Sequence, residues 1–399
     1  MLPSHFSSLT NCSVHAGNHG GRDALGVAEH DFSTNSNACG PCPEALQQVQ
    51  QADPSHYPDP HYTHLRAELA AWHGVAVEQI VLGASASELI HRFLLAARLA
   101  GVAAAQLPLP AYGDYARQAM ALGLPVQVRT DADSGLSTPT EAYASAAAGH
   151  PGQAWAIEWG CSPSSPHGGV DACASNWLHA PVIRTDVRDV AQAGAPWWRV
   201  LDAAYAPLQL GQGPNEWLDH ARHMQVACWQ LFSPNKSLGM TGVRAAYAIA
   251  PAQPVAAVAQ QQWQACLVQL QALAPSWPLG VHGEAMLWAW MQPSVQHWLH
   301  DSLAQLQTWK QAQRTLLSEL GWRCRASATN FFVAEPPWPD GVLDACHRHA
   351  VLARMRDSGV KLRETDSMGL PDHVRISVQP PKSQQALAQA WRDAMHYYS

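Results

Sequence analysis

The stretch SPNKSLGMTGVR, Ser233 to Arg244, sets a lysine among small and hydroxyl-bearing residues. The chain has only four lysines, Lys236, Lys310, Lys361 and Lys382. Three have ordinary structural explanations: Lys310 in a Gln-rich amphipathic helix, Lys361 beside Arg363 at a strand, and Lys382 in a turn after Pro-Pro. Lys236 instead follows the apolar run ACWQLFS and precedes a segment containing glycine. That pattern puts it at the end of a buried strand, where open α/β sheets bind ligands. An amine desolvated there has a lowered pKa and becomes a nucleophile toward a carbonyl carbon.

Other groups of matching chemistry fall at strand ends too. RVLDAAYA supplies Asp202 and, three residues on, Tyr205. LGASASELI supplies Ser85, Ala86 and Ser87 where a strand meets a helix, so backbone amides and the helix dipole can hold a dianion. PAYGDY supplies Tyr112 after the next strand. Ser233 and Arg244 flank the lysine with a hydroxyl and a guanidinium suited to phosphate. A lone Asp after an apolar run is more often a cap or turn. The ordered set meets the needs of pyridoxal phosphate: an amine for its aldehyde, a carboxylate for its pyridinium nitrogen, phosphate donors and an aromatic ring.

The elements that must position these groups alternate along the chain. After a Gly-, Ser-, Asn- and His-rich arm, PEALQQVQQA begins a helix at Pro43, and LRAELAAWHG is a second helix ending at Gly74. QIVLG, AQLPLP, PVQVRT, AWAIEW, WRVLDAAYA and ACWQLFS are strand-length runs separated by helices or loops, which predicts an α/β class with a mostly parallel, buried sheet. Two long helices, then strands at TNFFVAE, GVKLRE and HVRISV and a closing helix, predict a smaller α+β domain. The division expected is an arm over 1–43 packing with the small domain, a large domain over 44–283 and a small domain over 284–399.

At 399 residues with 47% apolar content, two packed domains are expected. A formal charge of -7 argues against a nucleic-acid binder. No apolar run has the length or freedom from charge of a membrane span, and the N-terminus lacks a signal-peptide pattern. Nine scattered cysteines suit reduced thiols, so a cytoplasmic location is expected.

The chain resembles fold-type I pyridoxal-phosphate enzymes of the class I/II aminotransferase superfamily over nearly its whole length. Ser233, Lys236 and Arg244 match that family's lysine motif, and DAAY keeps Asp202 and Tyr205 of its D-E-A-Y segment. By this resemblance Tyr205 bonds the cofactor's phenolic oxygen, Tyr57 of the Tyr57-Pro58 pair reaches the phosphate bound by a partner subunit, and Arg375 of VRISV clamps the substrate carboxylate with Arg363 nearby. A homodimer with interface active sites is implied. DFSTNSN brings Asn35 to the substrate-facing position, as in histidinol-phosphate aminotransferases. The preceding HGGR, His19, Gly20, Gly21 and Arg22, resembles the arm of L-threonine-O-3-phosphate decarboxylases of cobalamin biosynthesis, as does PAYGDYARQAMALG. That branch implies loss of carbon dioxide from L-threonine O-3-phosphate to give (R)-1-aminopropan-2-yl phosphate; the alternative is amino transfer of the histidinol-phosphate type, with 2-oxoglutarate as acceptor. The family's N-P-N-N-P-T-G reads SPSSPHG here, so Ser165 replaces an asparagine that bonds the cofactor, which leaves a binding protein without turnover as a remoter alternative.

Three motifs compete. CGPC, Cys39 to Cys42, matches a thioredoxin-like CxxC, but the surrounding pattern does not. SPNK is formally S-x-x-K, yet no other lysine is followed by Thr-Gly or Ser-Gly as penicillin-recognising enzymes require. The histidines of HRH and DPHYTH form no coherent ligand set, and no metal is expected.

Overall fold

The computed structural model describes residues 20–128, 156–177, 198–224, 228–254, 257–338 and 345–398. A short strand, β1 (His30–Asp31), lies in the arm. The strands β2 (Ile80–Gly83), β3 (Ala104–Leu107), β4 (Val126–Val128), β5 (Ala156–Cys161), β6 (Arg199–Asp202), β7 (Trp229–Phe232) and β8 (Ala246–Ile249) form one sheet in the order β2-β8-β7-β6-β5-β3-β4. Strands β4, β3, β5, β6 and β7 pair in parallel, while β8 runs antiparallel to both β7 and β2.

The apolar runs seen in the sequence are buried on both faces. On β8, Ala246 and Ala248 enter one core with Phe93, Trp159 and Trp229, whereas Tyr247 and Ile249 enter a second with Leu69, Phe232 and Trp290. Side chains alternate along a strand, so a sheet covered on both sides must be apolar at successive positions. The helix Ala86–Leu99 covers the first face; the helices Thr63–His73 and Val281–Trp290 cover the second. The result is an α/β fold with helix layers on either side of a large, mostly parallel sheet.

The C-terminal part builds a second sheet. Strands β9 (Arg323–Cys324) and β10 (Phe331–Glu335) precede β11 (Val360–Lys361), β12 (Arg363–Glu364) and β13 (Val374–Ser377). Four of them pair antiparallel in the order β12-β13-β10-β9, while β11 pairs in parallel with β1 of the arm. Phe32 from the arm joins Phe332, Ile376, Leu387 and Trp391 in a third core beneath the helices Pro293–Glu319 and Pro381–Tyr398.

Local chemistry accounts for several element ends. Pro43 occupies the first turn of its helix, where a missing N–H costs nothing. Gly74, at φ 69°, closes the next helix, its amide donating hydrogen bonds to Ala70 O and Ala71 O. Lys310 departs from its ordinary reading: at 5% exposure it is buried within the helix Pro293–Glu319. Among the described residues no helix is long and apolar enough to cross a membrane, and no group of three or more His, Cys, Asp or Glu is placed to hold a metal ion.

Candidate active site

Strand β7 delivers the lysine. Beyond Phe232 the chain turns tightly, with the amides of Leu238 and Met240 donating to Pro234 O at 2.9 Å and Asn235 O at 2.7 Å. Gly239 has φ +69°, and a Cβ there would lie 2.2 Å from Gly40 O. Both conditions require glycine. The second arises because the arm crosses this loop: Asn37 N donates to Lys236 O and Cys42 N to Leu238 O, each at 2.9 Å. CGPC is thus the packing surface of the lysine loop. Cys39 is half-buried and Cys42 buried. Burial pushes the Cys39 thiol up to about 11 and raises that of Cys42, opposite to the stabilised thiolate of a redox centre.

Around Lys236 several of the expected residues meet. Its Nζ lies 5.4 Å from the centre of the Tyr205 ring, and Asn35 Nδ2 donates to the Tyr205 hydroxyl at 3.2 Å. Asn35 Oδ1 is buried with no partner among the described residues. Asp202, at the C-terminal end of β6 and 6% exposed, accepts from Ala204 N at 3.0 Å and from the Tyr115 hydroxyl at 2.6 Å. Burial pushes the Asp202 carboxyl upward, against the pull of the Tyr115 hydroxyl, the Ala204 amide and the Lys236 charge. An adjacent cationic ring nitrogen would oppose that rise. Tyr115, whose ring stacks on Trp159 at 4.9 Å, escaped the sequence reading; its position three residues after Tyr112 in a helical pattern was the available signal.

The first turn of the helix Ala86–Leu99 lies at the end of β2. Ser85 is its cap, its hydroxyl accepting from Glu88 N at 3.1 Å, and the amides of Ala86 and Ser87 lack intrahelical acceptors by position. Ser87 Oγ donates to Asp114 at 2.7 Å and the Tyr112 hydroxyl donates to the same carboxylate at 2.9 Å. Asp114, 3% exposed and paired with Arg117, was a second omission from the sequence reading. Ser233 Oγ donates to Asn235 Oδ1 at 3.0 Å, while Arg244 is exposed.

Arg375 occupies the middle of β13 at 7% exposure. It donates to Ser33 O at 3.0 Å and to Ser165 Oγ at 3.3 Å; its Nε is buried with no partner among the described residues. Arg363 faces it across the β12–β13 pair, held by the Glu364 carboxylate and by Ser367 Oγ at 3.2 Å. One guanidinium is matched by a carboxylate and the other is not. Buried cations of this kind are stabilised by an anion.

The arm is pinned beside Arg375. Gly21 N donates to Ser33 Oγ at 2.8 Å, and Lys361 Nζ donates to Gly21 O at 2.6 Å. Arg356 and Lys361 both grip Asp23 at 2.9 Å, holding its carboxyl well below the usual range. Lys361 is therefore the arm's latch. His19 lies outside the described residues. A Cβ on Gly20 would come 2.1 Å from Ser33 O, the atom Arg375 binds. Gly20→Ala is expected to displace one of them at a cost of about 1–3 kcal/mol, lowering kcat/KM about 5- to 150-fold. Kinetics measured beside a cofactor titration checks this, because cofactor affinity should not change.

Tyr57 stands apart from this cluster. It is 78% exposed and stacks on Trp277 with ring centres 4.3 Å apart.

The description "Aminotransferase class I and II" fits a family model spanning residues 24–392. The chain belongs to that family. It is 26% identical over 359 residues to a histidinol-phosphate aminotransferase from Jannaschia sp. (strain CCS1), covering 88% of this chain and 87% of that protein. A shorter stretch of 129 residues is 36% identical to the adenosylcobalamin biosynthesis bifunctional protein CobDQ of Leptospira interrogans, covering 31% of this chain and 14% of that one. The fold is shared with the solved histidinol-phosphate aminotransferase of Sinorhizobium meliloti in complex with pyridoxal-5'-phosphate, at TM-score 0.66 and 21% identity over 92% of this chain and 91% of that one.

Proposed function

We propose that this member of the family is a decarboxylase of a phosphorylated amino acid, with L-threonine O-3-phosphate the expected substrate. The cofactor is pyridoxal 5'-phosphate. When bound it supplies an aldehyde that condenses with amines and a conjugated ring that accepts electrons from a bond at Cα. The residues fit it. Lys236 would hold the aldehyde carbon, Asp202 the pyridine nitrogen, Tyr205 the phenolic oxygen and Tyr112 a ring face. The amides of Ala86 and Ser87, with Ser85, Ser233 and Arg244, would hold the phosphate. The buried Asn35 Oδ1 and Arg375 Nε, partnerless among the described residues, are polar atoms that await a ligand.

The observation that carries the decarboxylase reading is the latched arm. Gly20 and Gly21 bring backbone against Ser33, whose carbonyl Arg375 already holds. With Gly21 N committed to Ser33 Oγ, the exposed Arg22 beside it is the arm's group that suits a second anionic group on a substrate whose carboxylate meets Arg375. In the reaction the bond from Cα to the carboxylate breaks, carbon dioxide leaves, and Lys236 Nζ supplies the proton that takes its place. Exposed Tyr57, held against Trp277, suits a role in the site of a second copy, which makes the working form a homodimer.

Amino transfer is the second reading, favoured by the long match to a histidinol-phosphate aminotransferase. Incubation with O-phosphothreonine decides between them. Carbon dioxide released in step with substrate loss, without any keto acid, is expected. Turnover of histidinol phosphate that depends strictly on 2-oxoglutarate would return the protein to amino transfer.

A further inference from the structure

Behind the small-domain sheet lies an open cavity of ≈ 470 Å³ between the helix Pro293–Glu319 and the segment at Ser327 and Ala328. Gln307, Lys310, Gln311, Arg314 and Thr315 line its helix side, and no carboxylate lines it among the described residues. Lys310 and Arg314 stand one helical turn apart, where like charges repel. Neither forms an ion pair among the described residues. Lys310 Nζ donates to Ser327 O at 2.6 Å and Thr329 O at 2.7 Å, which leaves one ammonium proton uncommitted. Among the described residues Arg314 makes a single long bond, to Cys324 O at 3.4 Å, with its carbon 6.0 Å from the Phe332 ring centre. Burial and the Arg314 charge pull the Lys310 amine down to about 8, as befits an ammonium without a counter-charge.

We propose that this cavity binds a small oxyanion, a phosphate or carboxylate, between Lys310 and Arg314. The planar guanidinium offers paired donors, Lys310 adds a point charge, and Gln307, Gln311 and Thr315 supply neutral partners. An anion there relieves the repulsion between the two cations. The site lies apart from the Arg375 cluster yet borders the segment bearing Ser165, because Ala328 N donates to Gly168 O at 2.8 Å.

Calorimetric titration of the cofactor-loaded enzyme with inorganic phosphate tests the proposal. The wild type should show a binding event that Arg314→Gln weakens about tenfold or more, as loss of a charge-assisted bond requires. Turnover by the variant should be unchanged. Lys310→Met provides the same comparison from the other cation. A parallel titration with 2-oxoglutarate tells phosphate from carboxylate, and binding of phosphate in the catalytic site would persist in both variants. Isotherms identical between wild type and variants for both anions would overturn the proposal.

Discussion

Lys236→Ala is expected to abolish covalent cofactor attachment and to lower turnover by at least about 10³-fold, the scale on which removing a covalent catalyst acts. With only four lysines, borohydride reduction of the loaded wild type followed by peptide mapping locates the attachment cleanly. Lys310 is the instructive competitor. It too is a buried amine, its pKa pulled down to about 8, and on residue chemistry alone it would serve as a nucleophile. Position separates the two: Lys236 follows a central strand and faces Tyr205, whereas Lys310 is committed to two carbonyl oxygens. Label on Lys310, Lys361 or Lys382 would overturn the assignment. The side chain of Lys236 is half-buried in a loop held by its backbone, so the variant should keep its fold.

The placements legible in the sequence are those that depend on where a strand ends. Asp202, Tyr205, Ser85 and Lys236 all lie at or just beyond the ends of strand-length, largely apolar runs, and a sheet buried on both faces leaves such runs whatever the rest of the chain does. The contacts between distant segments were not legible. No periodicity announces that Gly20 rests on Ser33, that Lys361 latches Gly21 and Asp23, or that Gly239 admits the Gly40 carbonyl. Each depends on an irregular arm meeting another segment, and such backbone carries no periodic pattern. Tyr115 and Asp114 escaped for a different reason: in a helical pattern Tyr115 reads as core and Asp114 as a first-turn acid, and only the packed structure turns them toward Asp202 and Ser87. Lys310 shows the converse error. A Gln-rich amphipathic helix was explanation enough for it in the sequence, but the helix lies over the Ser327 and Thr329 carbonyls and buries it.

Asp202→Asn should be nearly as damaging, lowering kcat by about 10²–10³-fold while the protein still folds. An asparagine fills the same space and its Oδ1 can still accept from Ala204 N or from the Tyr115 hydroxyl, which now reach Asp202 at 3.0 and 2.6 Å. What it loses is charge. At 6% exposure solvent can do little to replace that charge, so a proton on a facing ring nitrogen would lose its counter-ion in a poorly solvating site. The effect should fall on kcat more than on cofactor affinity, because Lys236 and the residues proposed to hold the phosphate remain. Single-turnover measurements at saturating cofactor separate the two. An Asp202→Asn enzyme that turned over within a few-fold of wild type would show that the carboxylate merely caps the end of β6.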